Sequence, residues 1–118
     1  MACILLVEDD DDVAMLLVEV LQGLGHEVHH EGTGTAALAA IEAGHRPGLV
    51  ITDMVLPGGL GGLELAGELR ARWPEVPVVV ATGHSEWAAE LRASGLRVLC
   101  KPFRAADLEA IVRDAVVA

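Results

Sequence analysis

Short apolar runs alternate with segments of helical periodicity from one end of the chain to the other. The runs cover residues 3–7, Val28 with its polar neighbours, and residues 49–52, 76–81 and 96–100. Brief apolar runs separated by helices are typical of strands that are buried on both faces of a parallel sheet. The pattern therefore predicts a three-layer, doubly wound α/β fold in which five parallel strands lie between two layers of helices.

Apolar residues recur at helical spacing between the predicted strands. One stripe runs through Val13, Leu16, Leu17, Val20, Leu21 and Leu24 and stops at Gly25. Further helices are predicted over residues 36–43 and 63–73 and after Phe103. The fourth helix, within residues 85–94, has a small apolar face between two glycines, so we expect it to be short or mobile. No linker or repeat interrupts the alternation, and a single domain over residues 1–118 is expected.

Composition narrows the class of partner. The net charge is -10, and the 8 Lys and Arg residues are scattered, so no basic stripe is available for direct nucleic-acid binding. Cys3 and Cys100 lie in apolar runs, which indicates core packing in a reducing compartment rather than a disulfide. No signal peptide or stretch long enough to span a membrane is recognised in the sequence, and a cytoplasmic location is expected.

Five acidic residues, 8–12, follow directly on the first apolar run. Like charges brought to one point are costly unless a cation lies among them. Asp10, Asp11 and Asp12 are explained by a helix start, where a carboxylate caps the first turn and the helix dipole favours negative charge. Glu8 and Asp9 precede any helix, so we assign them to a cation site.

Candidate site residues follow four of the five predicted strands. They are Glu8 and Asp9 after the first strand, Asp53 after the third, Thr82 and Gly83 after the fourth, and Lys101 and Pro102 after the fifth. In an open parallel sheet, ligands bind at this carboxyl edge, near the point where the strand order reverses. Asp9 and Asp53 offer the hard oxygen ligands that Mg²⁺ prefers, and an aspartate also serves as a phosphoryl acceptor. Lys101 and Thr82 are suited to stabilising the oxygens of a transferred phosphoryl group.

Four stretches resemble the receiver domain of two-component response regulators, the CheY-like family. They are ILLVEDD at residues 4–10, LVITDMVLP at 49–57, ATG at 81–83 and KPF at 101–103. The stretches occur in the family's order, and the resemblance covers essentially the whole chain. It implies a flavodoxin-like fold with strand order 2-1-3-4-5.

The resemblance implies an acceptor and a metal site. Asp53 would accept a phosphoryl group from a phosphohistidine on a sensor histidine kinase or a histidine phosphotransfer protein. Asp9 would bind Mg²⁺ directly and Glu8 mainly through a water molecule. The backbone carbonyl of Val55 would complete the protein ligands, beside Asp53.

Contacts to the phosphoryl oxygens are implied for Thr82 and Lys101, and the Lys101–Pro102 peptide bond resembles the family's cis bond. Gly83 and His84 follow Thr82 directly, and His84 is interpreted either as a group that modulates the site or as an exposed loop residue. The family acts as a switch in the bacterial cytoplasm rather than as a turnover enzyme. Its output would be a contact with a downstream protein that the sequence does not name.

The chain departs from the family pattern in three places. Val98 and Leu99 stand where the family has an aromatic residue that reports phosphorylation, so the usual switch is missing. The interval from Thr82 to Lys101 is shorter than usual, as in atypical receivers and those of hybrid kinases. The loop over residues 56–62 is rich in glycine, and we expect it to become ordered when metal or phosphoryl group binds.

Several other features have a simpler interpretation. Residues 32–35 resemble a phosphate-binding loop but fit a turn and a helix cap better. His29 and His30 would point to opposite faces of an edge strand, which favours solvated side chains over metal ligands. Trp87 is interpreted as packing of the fourth helix, with a partner-binding surface as the alternative.

Three other functions are alternatives to a receiver that accepts a phosphoryl group. A phosphatase of the haloacid dehalogenase type would need a second acid two residues after Asp53, where Val55 stands. A flavodoxin-like cofactor binder would need aromatic residues in loops that sandwich a flavin, and the chain offers none that is convincing. A pseudo-receiver that binds a partner without phosphorylation remains the third alternative.

Overall fold

The computed structural model describes residues 2–117 as a parallel five-stranded sheet with helices on both faces. The elements are β1 (Cys3–Val7), α1 (Asp11–Gly23), β2 (Glu27–Glu31), α2 (Gly34–Glu42), β3 (Leu49–Asp53), α3 (Gly62–Arg72), β4 (Val78–Thr82), α4 (Ser85–Ala93), β5 (Arg97–Cys100) and α5 (Ala105–Val117). The strand order is β2-β1-β3-β4-β5, which confirms the predicted fold and topology. No helix in residues 2–117 is long and apolar enough to cross a bilayer.

The sheet separates two apolar layers, because successive side chains of a strand point to opposite faces. Leu5 and Val7 of β1 pack into one layer with residues of α2, α3 and α4. Ile4 and Leu6 pack into the other layer with residues of α1 and α5. All four β1 side chains are almost fully buried, so β1 is the centre of the core.

Helix α1 corrects the predicted apolar stripe. Ala14 and Leu21 are buried, but Leu16 is 63% exposed. The face of α1 that contacts the sheet is narrow. Leu17 and Val20 lie at the edges of this face and are partly buried, whereas Leu16 lies outside it. Helical spacing alone made the stripe too wide, and the prediction for Leu16 was wrong.

The fourth helix is short, as expected, with the same length of 9 residues as α2. Ala88 and Leu91 anchor it in the core, whereas Trp87 is 46% exposed. The interpretation of Trp87 as packing was therefore wrong, since smaller residues already fill the contact with the sheet. Strand β4 begins at Val78 rather than Val76.

Both predicted helix caps are confirmed. The side chain of Asp10 accepts hydrogen bonds from the backbone N–H groups of Asp12 and Val13. Thr33 accepts one from Ala36 at 3.0 Å, so Thr33 caps α2, which begins at Gly34 rather than at the predicted Ala36. Each cap satisfies a backbone donor that the first helical turn leaves without a partner.

Candidate functional site

The carboxyl edge of the sheet brings three acids together. Glu8 and Asp9 follow β1, and Asp53 ends β3. One carboxylate oxygen from each residue lies within 4.8 Å of the others. Glu8 and Asp53 are only 4% and 8% exposed, whereas Asp9 is exposed. The arrangement is a set of hard oxygen ligands that opens to solvent on the side of Asp9, which suits a hydrated cation such as Mg²⁺.

Glu8 is held firmly in this set. Its backbone N–H donates to the Glu31 carbonyl at 3.0 Å, and its own carbonyl accepts from His30 Nε2 at 2.8 Å. Burial, followed by the hydrogen bond and the charge of Asp53, raises the pKa of Glu8 to about 8. Without a cation, Glu8 therefore keeps its proton at neutral pH, because two buried carboxylates cannot both carry charge at this distance.

Lys101 supplies the positive charge. Its Nζ lies 2.6 Å from Oδ1 of Asp53. The backbone N–H of Lys101 donates to the Thr82 carbonyl at 2.8 Å, which fixes the start of the loop after β5 to the end of β4. The Lys101–Pro102 peptide bond is cis, as the resemblance implies. The pair places an ammonium group, on a side chain that is 39% exposed, directly against the buried carboxylate of Asp53.

Thr82, at the end of β4, also lines the site beside Asp53 and Lys101. It is buried, and its hydroxyl oxygen accepts a hydrogen bond from the His84 backbone N–H at 3.0 Å. That contact leaves the hydroxyl proton of Thr82 available to a ligand. The His84 ring lies 3.5 Å from Glu86 and is exposed, so it faces the start of α4 rather than the acids. His84 and Gly83 still line a cavity of about 120 Å³ together with Asp53, Thr82 and Lys101.

The loop after β3 returns directly onto the end of its own strand. The Gly62 N–H donates to the Met54 carbonyl at 3.0 Å. A Cβ atom at residue 62 would lie 1.7 Å from the Asp53 carbonyl oxygen, which no side chain tolerates. Gly58 has a φ of 89°, a conformation that favours glycine. Gly62 is thus required by close packing and Gly58 by the conformation of a turn. The expected ordering of the loop when metal or phosphoryl group binds stays a prediction.

Val55 lies in this loop with its side chain exposed, and it lines the same 120 Å³ cavity. The role of its carbonyl as a metal ligand stays a prediction. At the neighbouring strand, Val98 and Leu99 are both buried, one in each apolar layer. They are therefore core residues, and the absence of the family's aromatic residue from these positions is accommodated by aliphatic packing.

A larger cavity of about 570 Å³ adjoins the acids on the side of α1. Its apolar wall includes Val13, Leu17 and Phe103, and Asp53 and Lys101 lie at its edge. Sequence reasoning missed this feature, although Val13 and Leu17 were on the predicted stripe of α1. Asp53 and Lys101 therefore border a cavity on that side whose lining is mostly apolar.

Comparison with known proteins identifies the family. The family model described as the response regulator receiver domain matches residues 4–113. The chain belongs to the response regulator receiver domain family. Receiver domains are signalling domains of two-component systems. Membership favours a receiver over the phosphatase and the flavin binder that were weighed as alternatives.

Three similar proteins illustrate the range of the family. The chain is 33% identical to the phyllosphere-induced regulator PhyR of Methylorubrum extorquens, with 95% of this chain and 42% of that protein covered. It is 35% identical to the sensor kinase CckA of Brucella abortus, over 96% of this chain and 12% of that protein. The structure of the response regulator TrrA of Thermotoga maritima, in complex with Mg²⁺ and BeF, matches with a TM-score of 0.86 and 31% identity, covering 98% and 99% of the two chains. The chain thus spans less than half the length of these two curated relatives.

Proposed function

We propose that this chain is a phosphoryl-accepting switch, in which Asp53 receives the phosphoryl group of a phosphohistidine on a sensor histidine kinase or a histidine phosphotransfer protein. The observation that carries the proposal is the 2.6 Å pair of Asp53 and Lys101 beside the oxygens of Glu8 and Asp9. A buried nucleophilic carboxylate, a fixed positive charge and a cation site meet at one strand edge. Residues 1–118 would act as one receiver domain in the bacterial cytoplasm, alone or within a longer protein.

The acids fit a divalent cation. Glu8 keeps a proton in the metal-free protein, which shows that the charge of Lys101 is not enough to stabilise both carboxylates. A bound cation would supply the missing positive charge. Asp9 and Asp53 would bind Mg²⁺ directly, with Glu8 acting through water and the Val55 carbonyl as a further ligand. The ion would neutralise charge on the phosphoryl oxygens during transfer.

The transfer itself forms one bond and breaks one. A carboxylate oxygen of Asp53 attacks phosphorus, and the N–P bond of the donor breaks in line, leaving its electron pair on the histidine nitrogen. Such reactions depend on positioning and on electrostatic stabilisation rather than on elaborate covalent chemistry. Lys101 already lies beside Asp53 and would stabilise negative charge on the phosphoryl oxygens. The hydroxyl of Thr82 would donate its proton in a hydrogen bond to one of these oxygens.

Return to the resting state requires water. A water molecule attacks phosphorus, the bond between phosphorus and the Asp53 oxygen breaks, and the products are inorganic phosphate and the free carboxylate. Each cycle uses one phosphoryl group of the donor and regenerates its free histidine, which is the behaviour of a signalling domain.

Phosphorylation would be transmitted to a partner protein through a change in the position of α4. The His84 N–H binds the Thr82 hydroxyl oxygen at 3.0 Å, and the Trp87 N–H binds the His84 carbonyl at 3.0 Å. A phosphoryl group that recruits Thr82 would pull on this chain of hydrogen bonds and move the exposed Trp87. The downstream partner would be a protein that contacts this helix, in place of a readout by the missing aromatic residue.

Incubation with acetyl phosphate and Mg²⁺, followed by intact-mass measurement, tests the proposal. The wild-type chain should gain one phosphoryl group, and Asp53→Asn should gain none because it lacks the nucleophile. Asp11→Asn is a matched control, since it removes the same charge from the same edge without touching the acceptor, and it should be modified normally.

Two outcomes would contradict phosphoryl transfer. One is no added mass on the wild type under conditions that modify another receiver. The other is equal modification of Asp53→Asn. The first result, together with binding of a partner kinase, would instead support the pseudo-receiver.

A further inference from the structure

A second cluster of metal-binding side chains lies away from the carboxyl edge, at the start of β1 and the edge strand β2. Cys3 Sγ lies 3.7 Å from Nε2 of His45. The rings of His45 and His29 have their centroids 4.8 Å apart and are tilted by 42°. All three residues are half-buried. The thiol thus faces histidines instead of the two apolar layers, contrary to the core packing expected for Cys3.

The sheet register places these groups on one face. Cys3 pairs with Glu27, and Leu5 pairs with His29, in parallel register. Leu5 packs into the layer that contains α2, and side chains two residues apart on a strand share a face. His45 follows the end of α2 and lies over the same face, because its backbone N–H donates to the Ala40 carbonyl at 3.1 Å.

The separation of sulfur and nitrogen matches a metal site. Zinc ligands lie at about 2.3 Å for sulfur and about 2.0 Å for nitrogen, so two ligands in a tetrahedral arrangement are roughly 3.5 Å apart. The observed 3.7 Å between Cys3 Sγ and His45 Nε2, which in the absence of metal is a hydrogen bond involving sulfur, is close to that value. A thiol and an imidazole are ligands that zinc prefers to the hard oxygens of the Mg²⁺ set.

Glu31 prepares His29 as a ligand. Its carboxylate accepts a hydrogen bond from His29 Nε2 at 2.6 Å, which holds the proton on that nitrogen and leaves Nδ1 free. Metal-binding histidines commonly donate their second ring nitrogen to a carboxylate in this way. Glu27, opposite Cys3, adds negative charge that a bound cation would offset.

One movement is needed to close the site. Among residues 2–117, only Glu8, Asp9 and Asp53 already place three such ligand atoms within 4.8 Å of one another. The side chain of His29 is 42% exposed, so its ring has room to turn toward His45. The movement must keep Nε2 on Glu31, so it is a rotation of the ring within its rotamer rather than a change of rotamer, and its cost is small beside the affinity of a three-ligand zinc site.

We propose that Cys3, His29 and His45 bind a divalent cation of the Zn²⁺ class, with Glu31 orienting His29 and water in the fourth position. The Cys3 thiol loses its proton to solvent when the metal binds. Burial, followed by the charge of Glu27, raises the pKa of that thiol, so affinity for the metal should increase with pH.

Titration of the reduced, metal-free protein with Co²⁺ tests the site, with excess Mg²⁺ present to occupy the acids. A band in the near ultraviolet from thiolate bound to cobalt should appear and should be lost when Zn²⁺ displaces the probe. Cys3→Ser should abolish the band. His29→Ala and His45→Ala should each raise the dissociation constant for Co²⁺ at least about tenfold, and Glu31→Gln by about tenfold.

Cys100→Ser and His84→Ala are the matched controls, since they remove the other thiol and an exposed histidine near the Mg²⁺ set. Both should keep the band, and circular dichroism of every variant checks that it is folded. Absence of the band from the wild type would overturn the proposal. So would a band that survives Cys3→Ser, or one that depends on Cys100.

Discussion

At the scale of single residues, the site is governed by a shortage of positive charge. Glu8 and Asp53 are buried side by side, and Lys101 is paired with Asp53 alone. The sequence identified all three residues, because each directly follows or ends a buried strand. It did not reveal that Glu8 would hold a proton, since that depends on how deeply the carboxylate is buried.

The raised pKa of Glu8 predicts a pH-dependent stability in the metal-free protein. The native state holds this proton up to about pH 8, whereas the unfolded chain releases it near the ordinary value of 4.5. The free energy of unfolding contributed by Glu8 is therefore fully present below pH 4.5 and is lost as pH rises to about 8. Each pKa unit corresponds to about 1.4 kcal/mol, so the loss amounts to about 5 kcal/mol at most.

Glu8→Gln should remove this dependence, because the amide keeps the hydrogen bond to Asp53 and does not ionise. Urea unfolding at a series of pH values, with a chelator present, measures the effect. The variant should gain stability relative to wild type as pH rises. Parallel curves for the two proteins would show that Glu8 does not titrate in this range.

At the scale of elements, the start of α3 is fixed by its contact with the end of β3. Residue 62 has no space for a Cβ atom, because the Asp53 carbonyl is in the way. In the same helix, a Cβ atom at residue 67 would have no neighbouring atom within 4 Å. The glycine-rich loop suggested mobility from the sequence, because spacing along the chain does not show which glycine is pressed against a strand. The same limitation made the predicted stripe of α1 too wide at Leu16.

Gly62→Ala and Gly67→Ala should therefore change stability in opposite directions. Gly62→Ala forces backbone apart and should lower the free energy of unfolding by about 3 kcal/mol or more. Gly67→Ala should raise it by about 0.5 to 1 kcal/mol, because alanine is the better helix former at an open position. Denaturant unfolding of both variants measures the difference, and equal effects would rule out the close contact at residue 62.

At the scale of the whole molecule, topology was the part best predicted from sequence. Strand order follows from the family resemblance, and the five apolar runs coincide with the strands except for shifts of one or two residues at β3, β4 and β5. The side-chain distances of the site were not predictable, because they depend on rotamers in the folded protein. The formal net charge of -10 counts every Asp and Glu as ionised, and the two buried acids, Glu8 and Asp53, both lie at the cation site.

Mg²⁺ should consequently stabilise the fold beyond any effect of ionic strength. A ligand at one hundred times its dissociation constant adds about 2.7 kcal/mol to the free energy of unfolding. Thermal unfolding in Mg²⁺ should show this rise relative to NaCl of equal ionic strength. Asp9→Asn should lose most of it and Asp11→Asn should keep it, whereas an equal response in both would indicate general screening of charge.

The ion pair at Asp53 has a practical consequence, because Lys101 is the only lysine in the sequence. Reagents that acylate amines will find one side chain to modify, and that side chain lies at the acceptor. The rate of its acylation therefore reports directly on the state of Asp53, without a fluorescent label or a mutation. A single peptide from a protease digest would be enough to follow occupancy of the site.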